Sequence, residues 1–426
     1  MRPQCGTGIL VLSTTVVACE WKSKMQFSFK YYLYAIGTTN LAVGLHNVLY
    51  PWIIIGVLEG SPSQLGFAQM MLLIPNLLFI LPAGVISDRL HQGSWLALLY
   101  LSYLFPLGLL LFAELNNELN IELVIGFGLI FGMVTAFAQP ARESLLGRAQ
   151  TKAMHQLVAK TLVVRFVALG IGFLFAGLLG YLSLSTLILL QMSFFGVTAL
   201  LIRQSHPAQI GSVSEKKETR NLCREIGEGM ALFKDDTRLM HLLYIVFATG
   251  VLPFGAFIVA TPILAHHIYH GGAGLLASIQ TVFILGVVAA NLGVMRKVNT
   301  FPNPGRSMII TFFWRGALLL IVAWHPSFWL LFPVVFFWGF SSGLAMALGR
   351  IIIHDHVVLA FRARAVSIYQ LSLFGGTPLG AWMCGIAIEN FDFLIALSSI
   401  AILTAILAIV AAWRSPLWGL TPSALP

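Results

Sequence analysis

The apolar runs of this chain constrain its fold more than any other feature. Long runs with few charges recur along the sequence, separated by short segments rich in charge, proline, glycine or asparagine. A helix needs about 20 apolar residues to cross the hydrocarbon core of a bilayer, and each run is long enough. We predict twelve spans, at approximately 31–55, 64–86, 95–114, 122–140, 158–180, 184–203, 240–264, 274–295, 307–324, 328–348, 365–388 and 393–413.

The composition excludes the soluble classes of protein. Charged residues make up 10% of the chain and hydrophobic residues 58%, whereas a soluble domain carries roughly 25% charge. The net charge of +9 is therefore interpreted as membrane topology and not as nucleic-acid binding. The four cysteines show no C-x-x-C spacing, which argues against a metal cluster or a disulfide framework. Nothing in the sequence predicts a cofactor.

The basic residues choose between the two possible orientations. If the N-terminus is inside, no Lys or Arg falls in a loop on the outer side, and only Arg165 and Arg315 fall deep within spans. Lys and Arg accumulate in cytoplasmic loops. We therefore predict a multi-pass membrane protein with both termini in the cytoplasm.

One long polar segment, 204–239, separates the sixth span from the seventh and divides the chain into two six-helix halves. Leu222, Ile226, Met230 and Phe233 recur in it at helical spacing, which predicts an amphipathic helix on the membrane surface. The predicted parts are a cytoplasmic leader 1–30, a first half 31–203, the linker 204–239, a second half 240–413 and a cytoplasmic tail 414–426.

The two halves share a weak internal repeat. A shift of 208 residues places Arg142 on Arg350, Gly172 on Gly380 and Gly177 on Gly385. Small residues let membrane helices approach closely, so packing alone would explain the glycines. Together with the central linker, the matches indicate an all-α fold of two repeats with a substrate site between them.

The first residues contain an apolar stretch that is too short to span a membrane. Val16, Val17, Ala18 and Cys19 resemble a bacterial lipoprotein cleavage box, but cleavage there would place the new N-terminus outside. We expect a loose cytoplasmic leader, or a functional start near Met25.

The segment after the second span carries the sharpest motif. It reads GVISDRLHQ from Gly84 to Gln92 and resembles the G-x-L-A-D-R-x-G-R-K signature of the major facilitator superfamily at Gly84, Asp88 and Arg89, while His91 replaces the second glycine. A carboxylate at this place can pair with a helix N-terminus and a nearby Arg in one conformation and release them in the other. The resemblance implies a latch for alternating access, and the alternative is a turn with solvated charges.

Two further segments resemble efflux members of the superfamily. Residues 137–146, FAQPARESLL, are similar to the end of the fourth span in the bacterial branch that includes the enterobactin exporter and macrolide pumps, and residues 362–380 are similar to its eleventh-span region. Arg142 and Glu143 lie in the first segment and join the predicted gating group. The resemblance runs over residues 31–414 and implies a twelve-helix transporter in the bacterial inner membrane.

The fifth span departs from the pattern of drug antiporters. Those proteins commonly carry G-x-x-x-G-P-x-x-G-G there, whereas this chain has Gly170, Gly172 and Gly177 without a proline. The departure leaves the direction of transport open.

The first span carries four polar residues on one face. Thr39, Asn40, His46 and Asn47 fill an arc of about 100° on a helical projection, and a polar arc on an apolar helix is expected to face a water-filled cavity. His46 is the titratable group of this arc. It either carries a coupling proton or contacts substrate, or it is a neutral histidine hydrogen-bonded within the bundle.

Two arginines lie inside the predicted spans. Arg165, about two turns from the cytoplasmic end of the fifth span, either reaches that interface or lines the cavity. Arg315, near the centre of the ninth span, would bind an anionic substrate or a partner carboxylate. No Asp or Glu lies deep in any predicted span, so coupling would use a histidine, a carboxylate near a mouth such as Glu143, or no protons.

Two histidine groups could be mistaken for metal sites. His266, His267 and His270 follow the seventh span, and His354 and His356 end the tenth. Because adjacent histidines on a helix point about 100° apart, only His266 and His270 could share a metal, and no fourth ligand is evident. We interpret both groups as interfacial residues and predict no metal site.

The sequence therefore predicts a secondary active transporter and not an enzyme. Its cargo is expected to be a small organic solute, a siderophore or a drug-like compound, moved outward by alternating access with protons as a possible counter-ion. The alternative within transport is an importer of a small metabolite or siderophore. A membrane-embedded enzyme or receptor is disfavoured because no converging catalytic motif is present. The expected partners are the solute and membrane lipid, and we expect a monomer.

Overall fold

A computed structural model describes residues 28–147, 154–205, 233, 236–296, 303–358 and 361–419. Most of the leader and of the linker, including Leu222, Ile226 and Met230 of the predicted amphipathic helix, lies outside these residues. The described part of the chain forms twelve long helices, one for each predicted span. They are α1 Phe29–Val57, α2 Pro62–Arg89, α3 Gly93–Leu115, α4 Ile121–Gly147, α5 Met154–Ala176, α6 Leu184–Ser205, α7 Thr237–Ile268, α8 Ala273–Arg296, α9 Pro304–Ala323, α10 Phe328–His356, α11 Arg362–Phe391 and α12 Phe393–Arg414.

The length and composition of the helices agree with a membrane protein. Within the described residues, eleven helices are long and apolar enough to cross a membrane by these two criteria, and α2 is a further helix of 28 residues. The predicted all-α, twelve-helix fold class is confirmed. We call the end of the bundle where α1 begins and α12 ends the terminal end, and the opposite end the distal end.

Several helices extend beyond the predicted spans. The motif from Gly84 was expected to lie in a loop, but α2 continues through Arg89, so only residues 90–92 lie between it and α3. In the same way α4 and α10 continue past Arg142 and Arg350. Hydropathy marks the part of a helix that lies in hydrocarbon, whereas the backbone hydrogen bonds continue into the interface, where charged side chains can be solvated.

The two halves repeat the same packing. In the first half α1 packs on α5 and α6, and α2 on α4, while in the second half α7 packs on α11 and α8 on α10. The halves meet where α2 lies against α11 and where α5 lies against α8. This is the two-repeat arrangement that the sequence predicts.

Glycines set the closest approaches within each half. A Cβ on Gly44 of α1 would lie 2.8 Å from the Cα of Gly172 on α5, and a Cβ on Gly255 of α7 would lie 2.7 Å from the Cα of Gly380 on α11. Gly255 lies 211 residues after Gly44, and Gly380 lies 208 residues after Gly172. The same crossing is therefore built twice, from small residues that allow the backbones to touch.

The contacts between the halves repeat in the same way. At the distal end Gly177, which begins the short 3₁₀ helix after α5, faces Gly274 of α8, and Gly66 of α2 faces Gly385 of α11. Gly274 and Gly385 lie 208 residues after Gly66 and Gly177. The shift noticed in the sequence thus relates two real inter-half contacts.

Candidate substrate cavity and gating contacts

The polar face of α1 is mostly packed inside the first half. Thr39 and Asn40 are each 3% exposed. The Asn40 amide donates to the Ile36 carbonyl at 2.7 Å, and the Thr39 hydroxyl donates to the Thr198 hydroxyl of α6 at 3.4 Å. Asn47 is exposed. Of the four residues predicted to face a cavity, only Asn47 has an exposed side chain.

His46 lies within a cluster of aromatic rings. Its imidazole is 4% exposed and stacks on Phe131 of α4, with ring centroids 3.8 Å apart and planes 9° apart. Tyr50 and Phe127 complete the surroundings at 5.3 and 5.8 Å. Its Nε2 has no hydrogen-bond partner within the described part of the chain. One alternative from the sequence was a neutral histidine hydrogen-bonded within the bundle, and Nε2 does not make such a hydrogen bond.

The position equivalent to His46 in the second half also carries an aromatic ring. His46 follows Gly44 by two residues, as Phe257 follows Gly255. Phe257 stacks on Phe283 at 4.2 Å and meets the Trp338 ring of α10 at 5.1 Å. An aromatic ring therefore packs at the equivalent place in each half.

Arg315 is buried within the second half. It is 2% exposed, its Nε donates to the Thr311 carbonyl at 3.2 Å, and an Nη donates to the Thr249 hydroxyl of α7 at 3.3 Å. Its guanidinium lies 5.7 Å from the centre of the Phe312 ring. No carboxylate pairs with it among the residues that the structure describes. Hydroxyl and carbonyl oxygens therefore take the place of the predicted partner carboxylate.

Three other arginines, Arg142, Arg165 and Arg350, are related by long-range electrostatic interaction. Arg165 of α5 interacts electrostatically with Arg142 of α4 and with Arg350 of α10, which belongs to the other half. Glu143 is the carboxylate in this group, and the phenol of Tyr32 adjoins it. Arg165 and Arg350 are exposed and Arg142 is half-buried. The structure thus joins Arg165 to the gating pair Arg142 and Glu143, which the sequence treated separately.

The predicted latch lies at the terminal end of α2. Asp88 and Arg89 form its last turn, and their side chains lie outside the described part of the structure. A Cβ on Gly84 would meet nothing within 4 Å, so packing of α2 does not explain this glycine. The Nδ1 of His91 accepts a hydrogen bond from the Ser94 amide at 3.4 Å and caps the start of α3.

A hydrogen-bonded contact between the halves at the distal end was not predicted. The Glu389 carboxylate of α11 accepts a hydrogen bond from the Ser61 hydroxyl at 2.7 Å and another from the Ser63 amide at 2.8 Å. Ser61 is the N-cap of α2 and forms a capping box with Gln64, so Glu389 binds the N-terminus of a helix in the other half. The Ser-Pro-Ser-Gln run signals a helix start, but no sequence feature links it to Glu389.

These contacts define the register of α2 against α11. Gly66 faces Gly385, and Leu77 lies 3.4 Å from a Cβ placed on Gly375. Residue numbers rise along α2 as they fall along α11, so the two helices are antiparallel. Extended to the terminal end, this register brings Asp88 to the first turn of α11, which begins at Arg362.

Comparison with known proteins places this architecture among transporters. The family model for the Major Facilitator Superfamily matches residues 33–300. A curated relative, the Staphyloferrin A transporter of Staphylococcus aureus (strain NCTC 8325 / PS 47), is 22% identical over 349 residues, which cover 81% of this chain and 86% of the relative.

Solved structures share the fold at low sequence identity. The nucleoside transporter NupG superposes with a TM-score of 0.70 at 14% identity and covers 91% of this chain and 99% of its own. A bacterial homologue of the human lysosomal transporter Spinster, in an inward-facing and unoccupied conformation, gives 0.68 at 14% identity, with 90% and 95% covered. At these identities the likeness extends to the fold alone.

Proposed function

The chain belongs to the Major Facilitator Superfamily, and we propose that it exports a small organic solute of the siderophore class by alternating access. The observation that supports alternating access is that the contacts between the halves differ between the two ends of the bundle. They touch at the distal end through Gly66 and Gly385 and through Gly177 and Gly274, while Arg165 and Arg350, nearer the terminal end, remain exposed. Alternating access requires the halves to close at one end of the bundle while the other end is open, and the uneven contact supports this cycle.

The substrate class rests on the curated relative. That protein is a Staphyloferrin A transporter, and the similarity between the two covers most of both chains. The efflux resemblance of the α4 end and of α11 supports outward movement. The positive-inside distribution of Lys and Arg supports an inner membrane with both termini in the cytoplasm.

The two ends of the α2–α11 pair supply the gates of this cycle. Glu389, which accepts hydrogen bonds from Ser61 and Ser63 at the N-terminus of α2, would hold the distal end closed. Asp88 at the N-terminus of α11 would hold the terminal end closed in the opposite conformation. Because the two contacts lie at opposite ends of one antiparallel helix pair, rocking of the halves forms one as it breaks the other.

A transport assay of known sidedness tests the direction. The full chain is expressed in cells, and inside-out and right-side-out membrane vesicles are prepared with a pH gradient of either sign. We expect proton-dependent accumulation of Staphyloferrin A in inside-out vesicles and not in right-side-out ones. Vesicles from cells without the protein give the background.

The same assay separates the competing functions. Accumulation in right-side-out vesicles alone would establish the importer alternative, which the missing proline of α5 leaves open. Accumulation that is independent of the pH gradient would exclude protons as the coupling ion. No transport of any siderophore in either orientation would contradict the proposal.

A further inference from the structure

Arg315 connects α9 to α7 at the point where α7 departs from regular helical geometry. An Nη of Arg315 donates to the hydroxyl of Thr249 at 3.3 Å, and Thr249 is the last residue of the regular helical part, Thr237–Thr249. A wider, π-helical turn follows at Gly250–Phe254, with Pro253 inside it, and we call this turn the α7 break. Thr249 is 8% exposed and Arg315 2%. The guanidinium therefore holds α7 immediately before its break, in the interior of the second half.

The guanidinium is also fixed to its own helix. Its Nε donates to the Thr311 carbonyl, one turn earlier on α9, at 3.2 Å, and it lies 5.7 Å from the centre of the Phe312 ring. A charged side chain at such depth in a membrane protein is costly and is usually functional. An apolar side chain of similar volume would fill the space without the cost of burying a charge. The hydrogen bonds, and not the volume, thus account for an arginine at this position.

The first half has no break at the equivalent place. A shift of 211 residues relates Thr249 to Thr38 and Pro253 to Ala42. There α1 continues as a regular α-helix, and the hydroxyls of Thr38 and Thr198 on α6 are hydrogen-bonded at 2.7 Å. The threonine has an interhelical partner in both halves, but this partner is an arginine only in the half whose helix is broken.

The part of α7 beyond the break, Gly255–Ile268, carries a contact with the first half. We call it the distal segment of α7. The His266 ring meets the ring of Trp52 on α1 edge-on, with centroids 5.3 Å apart, and Trp52 is 7% exposed. Just after the segment, the Tyr269 hydroxyl donates to the Pro326 carbonyl and fastens it to the connection between α9 and α10. The direction in which the segment leaves the break therefore affects how His266 meets Trp52.

We propose that Arg315 is a positioning residue, which anchors α7 at its break through Thr249 and so places the distal segment of α7 against α1. A guanidinium presents several N–H donors in a fixed plane, so it bonds its own helix and α7 at the same time. Turns of π-helix are frequent at functional sites, and the segment that follows this one contacts the other half. The inference goes beyond the proposed function, because it concerns neither the cargo nor the direction of transport.

Distance distributions in the purified full chain test this role. Spin labels at Glu118 of the first half and at His267, an exposed residue of the distal segment, report the position of that segment by pulsed electron paramagnetic resonance. Labels at Glu118 and Trp329 report the position of the rest of the second half. Thr249→Val removes the hydroxyl that Arg315 binds. It should raise the population with a displaced segment roughly tenfold, the factor that one hydrogen bond to a charged group supplies, and leave the Glu118–Trp329 distribution as in wild type.

Further variants separate this anchor from general stability. Thr249→Ser keeps a hydroxyl and should retain the wild-type distribution. Arg315→Met should displace the segment as Thr249→Val does, and the double variant should displace it no further, since both substitutions remove the same hydrogen bond. Thr261→Val is the matched control, because Thr261 is a buried threonine of α7 whose hydroxyl donates to the Phe257 carbonyl of its own helix at 2.8 Å.

The outcomes decide between positioning and a purely structural role. Thermal unfolding of each variant shows that it is folded. A wild-type Glu118–His267 distribution in folded Thr249→Val, with or without a lowered unfolding temperature, would overturn the positioning role. The same displacement in Thr261→Val, or additive displacement in the double variant, would overturn it as well. Since no siderophore enters these measurements, their failure leaves the proposed cargo and direction to the vesicle assay.

Discussion

A single ring on α1 shows how a sequence signal and its physical meaning can differ. His46 attracts attention because a titratable group in a membrane span is usually functional. The structure surrounds it with Phe131, Tyr50 and Phe127, and the second half has Phe257 at the equivalent place. We therefore propose that His46 serves as a packing ring in its neutral form, with coupling assigned to other groups.

Replacement of His46 by phenylalanine should leave the protein functional. A phenyl ring keeps the stack on Phe131, whereas His46→Ala removes it and leaves a cavity that costs about 2 kcal/mol. We expect His46→Phe to retain the transport rate and its pH profile, and His46→Ala to lower the thermal unfolding temperature. Both are measured on purified protein and in vesicles. A folded His46→Phe variant without transport, or with an altered pH profile, would show that the imidazole is used in coupling or substrate contact.

Residue patterns in the sequence located some groups of the candidate site and missed others. Arg315 and Arg165 could be singled out because charge is rare in apolar runs. The electrostatic interaction of Arg165 with Arg350 could not, since the two residues are far apart in the chain and no periodicity relates them. Glu389 directly follows the predicted eleventh span, but its hydrogen bonds to Ser61 and Ser63 depend on how α2 and α11 meet.

At the scale of helices, glycine pairs fix how closely neighbours cross. A Cβ on Gly44 would collide with the Leu169 carbonyl oxygen of α5, so the backbones would have to separate. Membrane helices associate through such packing and not through a hydrophobic difference from lipid. If a substitution separates two helices at such a crossing, burial of other apolar surface therefore cannot compensate for the lost packing.

Gly44→Ala should destabilise the first half, with Gly126→Ala as its control. A Cβ on Gly126 of α4 would meet nothing within 4 Å, so this substitution adds the same methyl group without a clash. We expect Gly44→Ala to reduce the yield of folded, monodisperse protein and to lower its unfolding temperature, and Gly126→Ala to match wild type. Equal stability of the two variants would show that the α1–α5 crossing adjusts without cost.

The sequence predicted the twelve helices well and their ends less well. Hydropathy identifies the stretch that lies in hydrocarbon, so each span was found. It does not register helical turns that continue into the interface, which is why the Gly84 motif was assigned to a loop. The shift of 208 residues, weak as a sequence signal, relates inter-half contacts because both members of each contact come from equivalent helices.

At the scale of the whole molecule, the antiparallel α2–α11 pair joins the two proposed gates. In the observed conformation Glu389 binds the N-terminus of α2, where the helix dipole and free N–H groups favour an anion. The contact is solvent-exposed, so it contributes about 1 kcal/mol, which shifts a two-state equilibrium roughly fivefold. A shift of this size changes the populations of the two states without unfolding either.

Glu389→Ala should open the distal end more often. Spin labels at Glu118 and Trp329, exposed residues at the distal ends of different halves, report the separation by pulsed electron paramagnetic resonance. We expect a larger long-distance population in Glu389→Ala than in wild type. Glu122→Ala is the matched control, because it removes an exposed distal carboxylate of α4 for which the structure shows no partner. An unchanged distribution in Glu389→Ala would mean that the glycine contacts alone hold the distal end closed.

Asp88→Asn should shift the same equilibrium in the opposite direction. The register of α2 against α11 brings Asp88 to the first turn of α11 when the terminal end closes, and the amide would bind that positive helix end less strongly. The terminal-closed state then loses population, so the labels at Glu118 and Trp329 should report a more uniformly closed distal end.

Transport should fall in both Asp88→Asn and Glu389→Ala because each cycle visits both states, while the folded protein remains in the membrane. The double variant should restore a label distribution closer to wild type, since the two gates oppose one another. A shift of both single variants in one direction, or unchanged transport in Asp88→Asn, would contradict the two-gate arrangement.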